Sequence, residues 1–257
     1  MQSSIELHRT PETQYLLRIG DTCLILAQRL GEWCGHAPVL EEDIAMTNIA
    51  LDLVGQARAL LTRAGQVEGL AHDEDQLAFL RNERDYFNLT LVELPRGDFA
   101  FSVLRNTMVS TWLKLLWERL AKSADSELSA IAGKAIKEAR YHQQHSGDWV
   151  VRLGDGTEES NKRMNAALSE LWRYVPELFD TDAVDRAASA AGIGPLWSDL
   201  QADWDKEMGL ILGEAGLTAP AASAFRSTGK RGMHSEHMGY ILADMQYLQR
   251  AFPGGVW

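Results

Sequence analysis

Apolar residues recur at three- and four-residue steps along four stretches of roughly two dozen residues each, and strand-like alternation never persists beyond four residues. That spacing confines the chain to an all-α architecture, a bundle of four long helices with shorter helices packed around it. The first helix follows Thr10-Pro11-Glu12, an N-cap hydroxyl, a proline at the first helical position and an acid in the first turn. Leu16, Ile19, Cys23, Leu26, Leu30 and Trp33 form its buried stripe, and Gly35 and Pro38 end it. A second long helix is predicted from Leu40 to Ala64, with Gly65 as its stop.

A shorter helix is expected over Asp73 to Asn88, then a turn at Pro95–Asp98 and long helices over Phe99–Lys122 and Ser126–Leu153. Gly154-Asp155-Gly156 stops the last of these. Another begins after Thr157 and meets Pro176, and three more cover Thr181–Ala191, Pro195–Ala215 and Met233–Ala251. No internal repeat or linker divides the 257 residues, so one domain, 1–257, is expected.

A net charge of −11 opposes nucleic acid and anionic membranes, and no apolar run of eighteen residues occurs. Met1 to Thr10 contains no apolar signal core, so the cytoplasm is the expected compartment. Cys23 and Cys34, eleven residues apart on one helix, are about 16 Å distant and cannot pair with each other. Trp112, Trp117, Trp172, Trp197 and Trp204 fall within amphipathic helices as core or interface anchors. The basic run Thr228-Gly229-Lys230-Arg231-Gly232 reads as a solvated turn, with a phosphate or an acidic partner as the alternative.

Four long helices can grip two iron ions when two of them each supply a Glu and the other two each supply a Glu-x-x-His pair. Here the inward row of the second helix, Ile49, Leu53, Gln56 and Leu60, has a leucine and an amide in those slots. The row Val109, Leu113, Leu116 and Leu120 holds no acid, and Glu118 lies off it. On the next helix His142 is present, but the residue three before it is Ala139. Ile131, Ala135, Glu138, His142, His145 and Trp149 are expected to share a stripe, with Glu138 and His142 as a core polar pair. The alternative for Glu138, His142 and His145 is a mononuclear metal site in an enzyme of another kind. His234 and His237 lack an identifiable third ligand and are expected to pack at a surface or interface. No nucleophile elbow or phosphate loop is present.

The strings Arg29–Pro38, Leu51–Arg58 and Lys134–His142, with the stretch from His234 through Arg250, resemble the C subunits of bacterial phenylacetyl-CoA epoxidases along nearly the whole chain. The resemblance implies a ferritin-like fold and a place in a multicomponent monooxygenase complex of aerobic phenylacetate catabolism. In that family a sister subunit of the same fold carries the di-iron centre and binds the CoA thioester. It epoxidises the ring with dioxygen, using electrons relayed from NADPH by a reductase subunit. The subunit resembled here is structural, and its implied partners are the di-iron catalytic subunit and the other epoxidase subunits.

Carried over to this chain, the sister subunit's ligand positions fall on Glu32, Leu53, Gln56, Ala139 and His142. Three of these five depart from ligand type, so the expectation is a pseudo-enzyme subunit with no catalytic residue, no cofactor and no metal of its own. Read from the residues alone, Glu32 is equally a solvated acid in the last turn of the first helix; the resemblance implies that it and His142 are kept for core hydrogen bonds.

Overall fold

Thr10 Oγ1 accepts from the Thr13 amide at 3.1 Å and opens helix α1, Pro11–Gly31, with Pro11 in its first turn. The computed structural model describes residues 3–255. Helix α2 spans Leu40–Glu68 and α3 Glu74–Phe79. Helices α4, Phe99–Leu120, and α5, Ser126–Gly154, complete the long four. The rest are α6, Glu158–Leu171, α7, Val175–Phe179, α8, Ala183–Ala190, α9, Gln201–Glu214, and α10, Met238–Ala251. No strand occurs among the described residues, where an antiparallel bridge joins Thr228 and Met233.

Side-chain contacts set the directions of the long helices. Cys23 meets Gln56 and Gly20 abuts Leu60, so α1 and α2 are antiparallel. Gln56 meets Glu138 and Asp52 meets His142, so α2 and α5 are antiparallel. Thr111 with Gln143, and Glu118 with Arg140, show the same for α4 and α5. Helices α2 and α4 therefore run the same way, and residues 69–98 must cross the length of the bundle to join them. That single long crossover is the topology of ferritin-like bundles.

Among the boundaries that differ from the sequence expectation are the end of α2 and the extent of α3. Gly65 does not stop α2. It lies inside the helix where a Cβ would come within 2.0 Å of the His72 carbonyl oxygen, and the left-handed turn falls at Gly69, φ +80°. The helix expected over Asp73–Asn88 shrinks to α3 because the chain beyond it is anchored individually. Arg81 forms a buried bidentate pair with Asp21 of α1, and Asp21 also accepts from the Phe87 amide at 2.8 Å. These fixed contacts replace helical hydrogen bonds in the crossover.

Helix α4 is buried on nearly every side. Its hydroxyls are satisfied locally, Thr107 donating to the Val103 carbonyl at 2.7 Å and Ser110 to that of Asn106 at 2.6 Å. Trp112 packs edge-on against Trp197 at 4.8 Å, and the Trp204 indole donates to the Met108 carbonyl at 3.0 Å. The tryptophans thus anchor α9 and the turn before it onto α4, while Trp172, half-buried, packs tilted against Trp204 at 5.7 Å.

The basic loop is not a solvated turn. Lys230 is buried, lies 4.6 Å over the Trp197 ring and contacts Asp185 at 3.4 Å. Arg231 pairs with Asp180, and Arg18 of α1 pairs with Asp182 and Asp185. The acidic partner of this loop lies in the same chain.

Candidate functional site

Helices α2 and α5 face each other through three polar pairs. The Gln56 amide donates to Glu138 at 2.9 Å, His142 Nε2 bonds Asp52 at 3.0 Å, and His145 Nε2 bonds Glu42 at 2.9 Å. Successive pairs sit one turn or more apart along α2, which places each α5 residue opposite its own partner. Cys23 of α1 closes the first pair from behind, its thiol donating to Gln56 Oε1 at 3.7 Å. Burial lifts the Cys23 thiol well above its ordinary pKa, so it is a neutral donor there. Both cysteines are free, Cys23 buried and Cys34 exposed.

Leu53, Gln56, Ala139 and His142 are all buried in the bundle interior. Glu32 is not with them. It caps the C-terminus of α1, its side chain 39% exposed and paired with the buried Arg29 at 2.5 Å. Cys23, about two and a half turns earlier, is the α1 residue level with Gln56. The stripe expected on α5 is also displaced. Its buried row is Leu128, Ala132, Ala135, Ala139, His142, Ser146 and Val150, which leaves Glu138 and His145 at the rim. Glu138 and His142 consequently bond α2 rather than each other.

Burial lowers the pKa of His142 and outweighs the hydrogen bond and charge of Asp52, so the ring is neutral at pH 7. Its Nε2 proton then goes to Asp52, leaving Nδ1 as the lone-pair nitrogen. A carboxylate behind an imidazole is the usual outer support of a metal-bound histidine. The ligands that such support would serve are missing, because Leu53 and Ala139 offer hydrocarbon and Gln56 a neutral amide already bonded on both sides. The residues present do not fit a di-iron centre. Nor do Glu138, His142 and His145 converge, since each is bonded to a different residue of α2. Among the described residues no three His, Cys, Asp or Glu side chains are grouped to hold a metal ion.

His234 is not at the surface. It is buried, with Nδ1 on Glu93 at 2.5 Å and Nε2 on the Tyr86 carbonyl at 3.0 Å, whereas His237 is turned away and partly exposed. Glu93 also accepts from Asn88 and from both the amide and hydroxyl of Ser235. A second buried carboxylate, Glu177, accepts from the Thr90 amide, the Ser227 hydroxyl and the Lys230 amide. These two acids knit the crossover to the segment before α10, which is why α10 starts at Met238 rather than Met233. Neither was recognisable from spacing, because their donors lie up to 142 residues away. Asp52 was more accessible, standing beside Leu53 on a helix expected to face His142.

The fold and site define a ferritin-like helical bundle whose interior carries a histidine with its supporting acid but hydrocarbon at the flanking slots. A family model described as phenylacetic acid catabolic protein matches residues 1–257. The chain is 51% identical over 245 residues to the C subunit of the 1,2-phenylacetyl-CoA epoxidase of Escherichia coli (strain K12), covering 95% of this chain and 98% of that protein. It belongs to the phenylacetic acid catabolic protein family. Among the described residues no helix is long and apolar enough to cross a membrane.

Proposed function

We propose that this chain is a non-catalytic, cytoplasmic structural subunit of a phenylacetyl-CoA epoxidase, and that it pairs with and stabilises a di-iron catalytic subunit of the same fold. The observation that carries the reading is the pair Leu53 and Ala139, buried hydrocarbon at positions where the resemblance calls for glutamates. A carboxylate there would be needed to neutralise iron, and the adjacent acids, Asp52 and Glu138, are bonded to His142 and Gln56 instead. The E. coli relative bears the name of an epoxidase subunit, which supports the assignment to a complex of several chains.

The test is co-expression with the other epoxidase subunits of the same source. A stable hetero-oligomer is expected, with iron in stoichiometric amount on the catalytic partner and none on this chain purified alone. Ring epoxidation by the isolated chain, or a pair of metal ions bound to it, would overturn the proposal.

A further inference from the structure

The outward face of α2 is apolar where a solvent-facing helix should be charged. Leu40, Ile44 and Leu51 are 72%, 54% and 62% exposed, and Val39 and Val54 are exposed beside them. At 100° per residue Leu40, Ile44, Leu51 and Val54 fall within one narrow arc, about 21 Å long. Asp52 is the one charge between Ile44 and Gly55, and it is turned to the side and bonded to His142. Helix α6, by contrast, exposes Glu158, Glu159, Lys162 and Arg163.

Tyr141 of α5, half exposed, extends the face sideways. Between the two helices lies an open cleft of about 340 Å³ whose lining mixes Leu51, Ala59 and Ile131 with the charged Asp52, Lys134 and Glu138. These exposed apolar side chains present on the order of 600 Å², the upper end for a free monomer's largest apolar patch. A stable interface takes roughly 800 Å² per partner, so this face supplies most of one.

We infer that the α2 face, from Val39 to Val54 with Tyr141 and the adjoining cleft, is the seat of the di-iron catalytic subunit proposed above, which covers the exposed leucine, isoleucine and valine side chains with an apolar helical surface. The inference rests on the proposed pairing and gives it a location. A second copy of this chain is the disfavoured occupant, because it would bring two bodies of net charge −11 together.

The experiment uses the full chain and the co-expressed epoxidase subunits. Ile44→Glu, Leu51→Arg and the double variant are compared with a control, Glu158→Lys with Lys162→Glu on α6. Mass measurement by light scattering should give a monomer for the wild-type chain alone. Affinity for the partner should fall about a hundredfold or more in the double variant, with an unchanged melting temperature, and stay level in the control. If the double variant melts early, Ile44→Glu alone, on an exposed turn outside the cleft, decides the matter. Wild-type affinity in the folded variants overturns the placement while leaving the pairing intact. A wild-type dimer split by Leu51→Arg overturns it in favour of a second copy. A wild-type chain that binds no epoxidase subunit overturns the pairing and the placement together.

Discussion

The Gln56 amide of α2 donates to the Glu138 carboxylate of α5 across 2.9 Å, while its carbonyl oxygen receives the Cys23 thiol of α1. One neutral side chain therefore links three of the long helices, at the position where the sequence resemblance leads to the expectation of a histidine. An amide can donate and accept at once, so it satisfies an acid on one side and a thiol on the other without carrying charge into the core.

Removing that link has a defined cost. Gln56→Leu leaves the half-buried Glu138 and the buried Cys23 without partners, and the expected loss is about 1–3 kcal/mol. Gln56→Glu should be worse, since it sets two carboxylates against each other. Chemical denaturation with an unchanged slope measures both.

Restoring ligand types at three positions, by Leu53→Glu, Gln56→His and Ala139→Glu together, is expected to destabilise the fold rather than create an oxygenase. Two unpaired carboxylates would enter buried apolar positions, where a lone charge costs roughly 3–5 kcal/mol. A lowered melting temperature with no bound iron is the expected outcome. Stability that is recovered on adding ferrous iron would show that the pocket accepts metal after all.

The two buried histidines should give opposite pH signatures. Burial pulls His234 down, but the hydrogen bond and charge of Glu93 more than offset it and raise its pKa. Its contribution is full below the unfolded value near 6.5 and is lost as pH rises through the folded pKa. His142 is depressed by burial, so its contribution is full above about 6.5 and is lost as pH falls toward the folded value. His234→Gln should therefore cost more at about pH 6 than at pH 8, and His142→Gln more at pH 8 than at about pH 5.5. Melting curves across that range distinguish them, and matching trends would refute the assignment.

Glu93→Ala should release the segment before α10. It strands four hydrogen-bond donors, from Asn88, His234 and Ser235, in a dry site, and the expected loss is about 3–5 kcal/mol. Limited proteolysis should cut first within residues 216–237. Cleavage elsewhere, or none, would mean that Glu177 and the Lys230 network hold that segment unaided.

Gly65→Ala tests the corrected end of α2. A methyl group 2.0 Å from the His72 carbonyl oxygen cannot be housed without moving backbone. The variant should lose stability although alanine is the better helix former, whereas a glycine inside a helix with open space at its Cβ would gain from the change.

Much of this protein was legible as periodicity. The four long helices, the cap at Thr10, and the hydrocarbon at Leu53 and Ala139 follow from local spacing and residue type, because a helix repeats every 3.6 residues whatever lies beside it. What spacing could not specify was rotation and reach. A shift of one residue along α5 moved Glu138 and His145 to the rim and brought Ala139 into the core, and only packing against α2 and α4 decides that angle. Spacing left Glu32 open between an inward acid and a solvated one, and the end of α1 decides it by facing solvent and Arg29. The burial of Lys230, Glu93 and Glu177 depends on partners drawn from distant segments, and such pairings exist only once the crossover and the C-terminal segment have closed on each other.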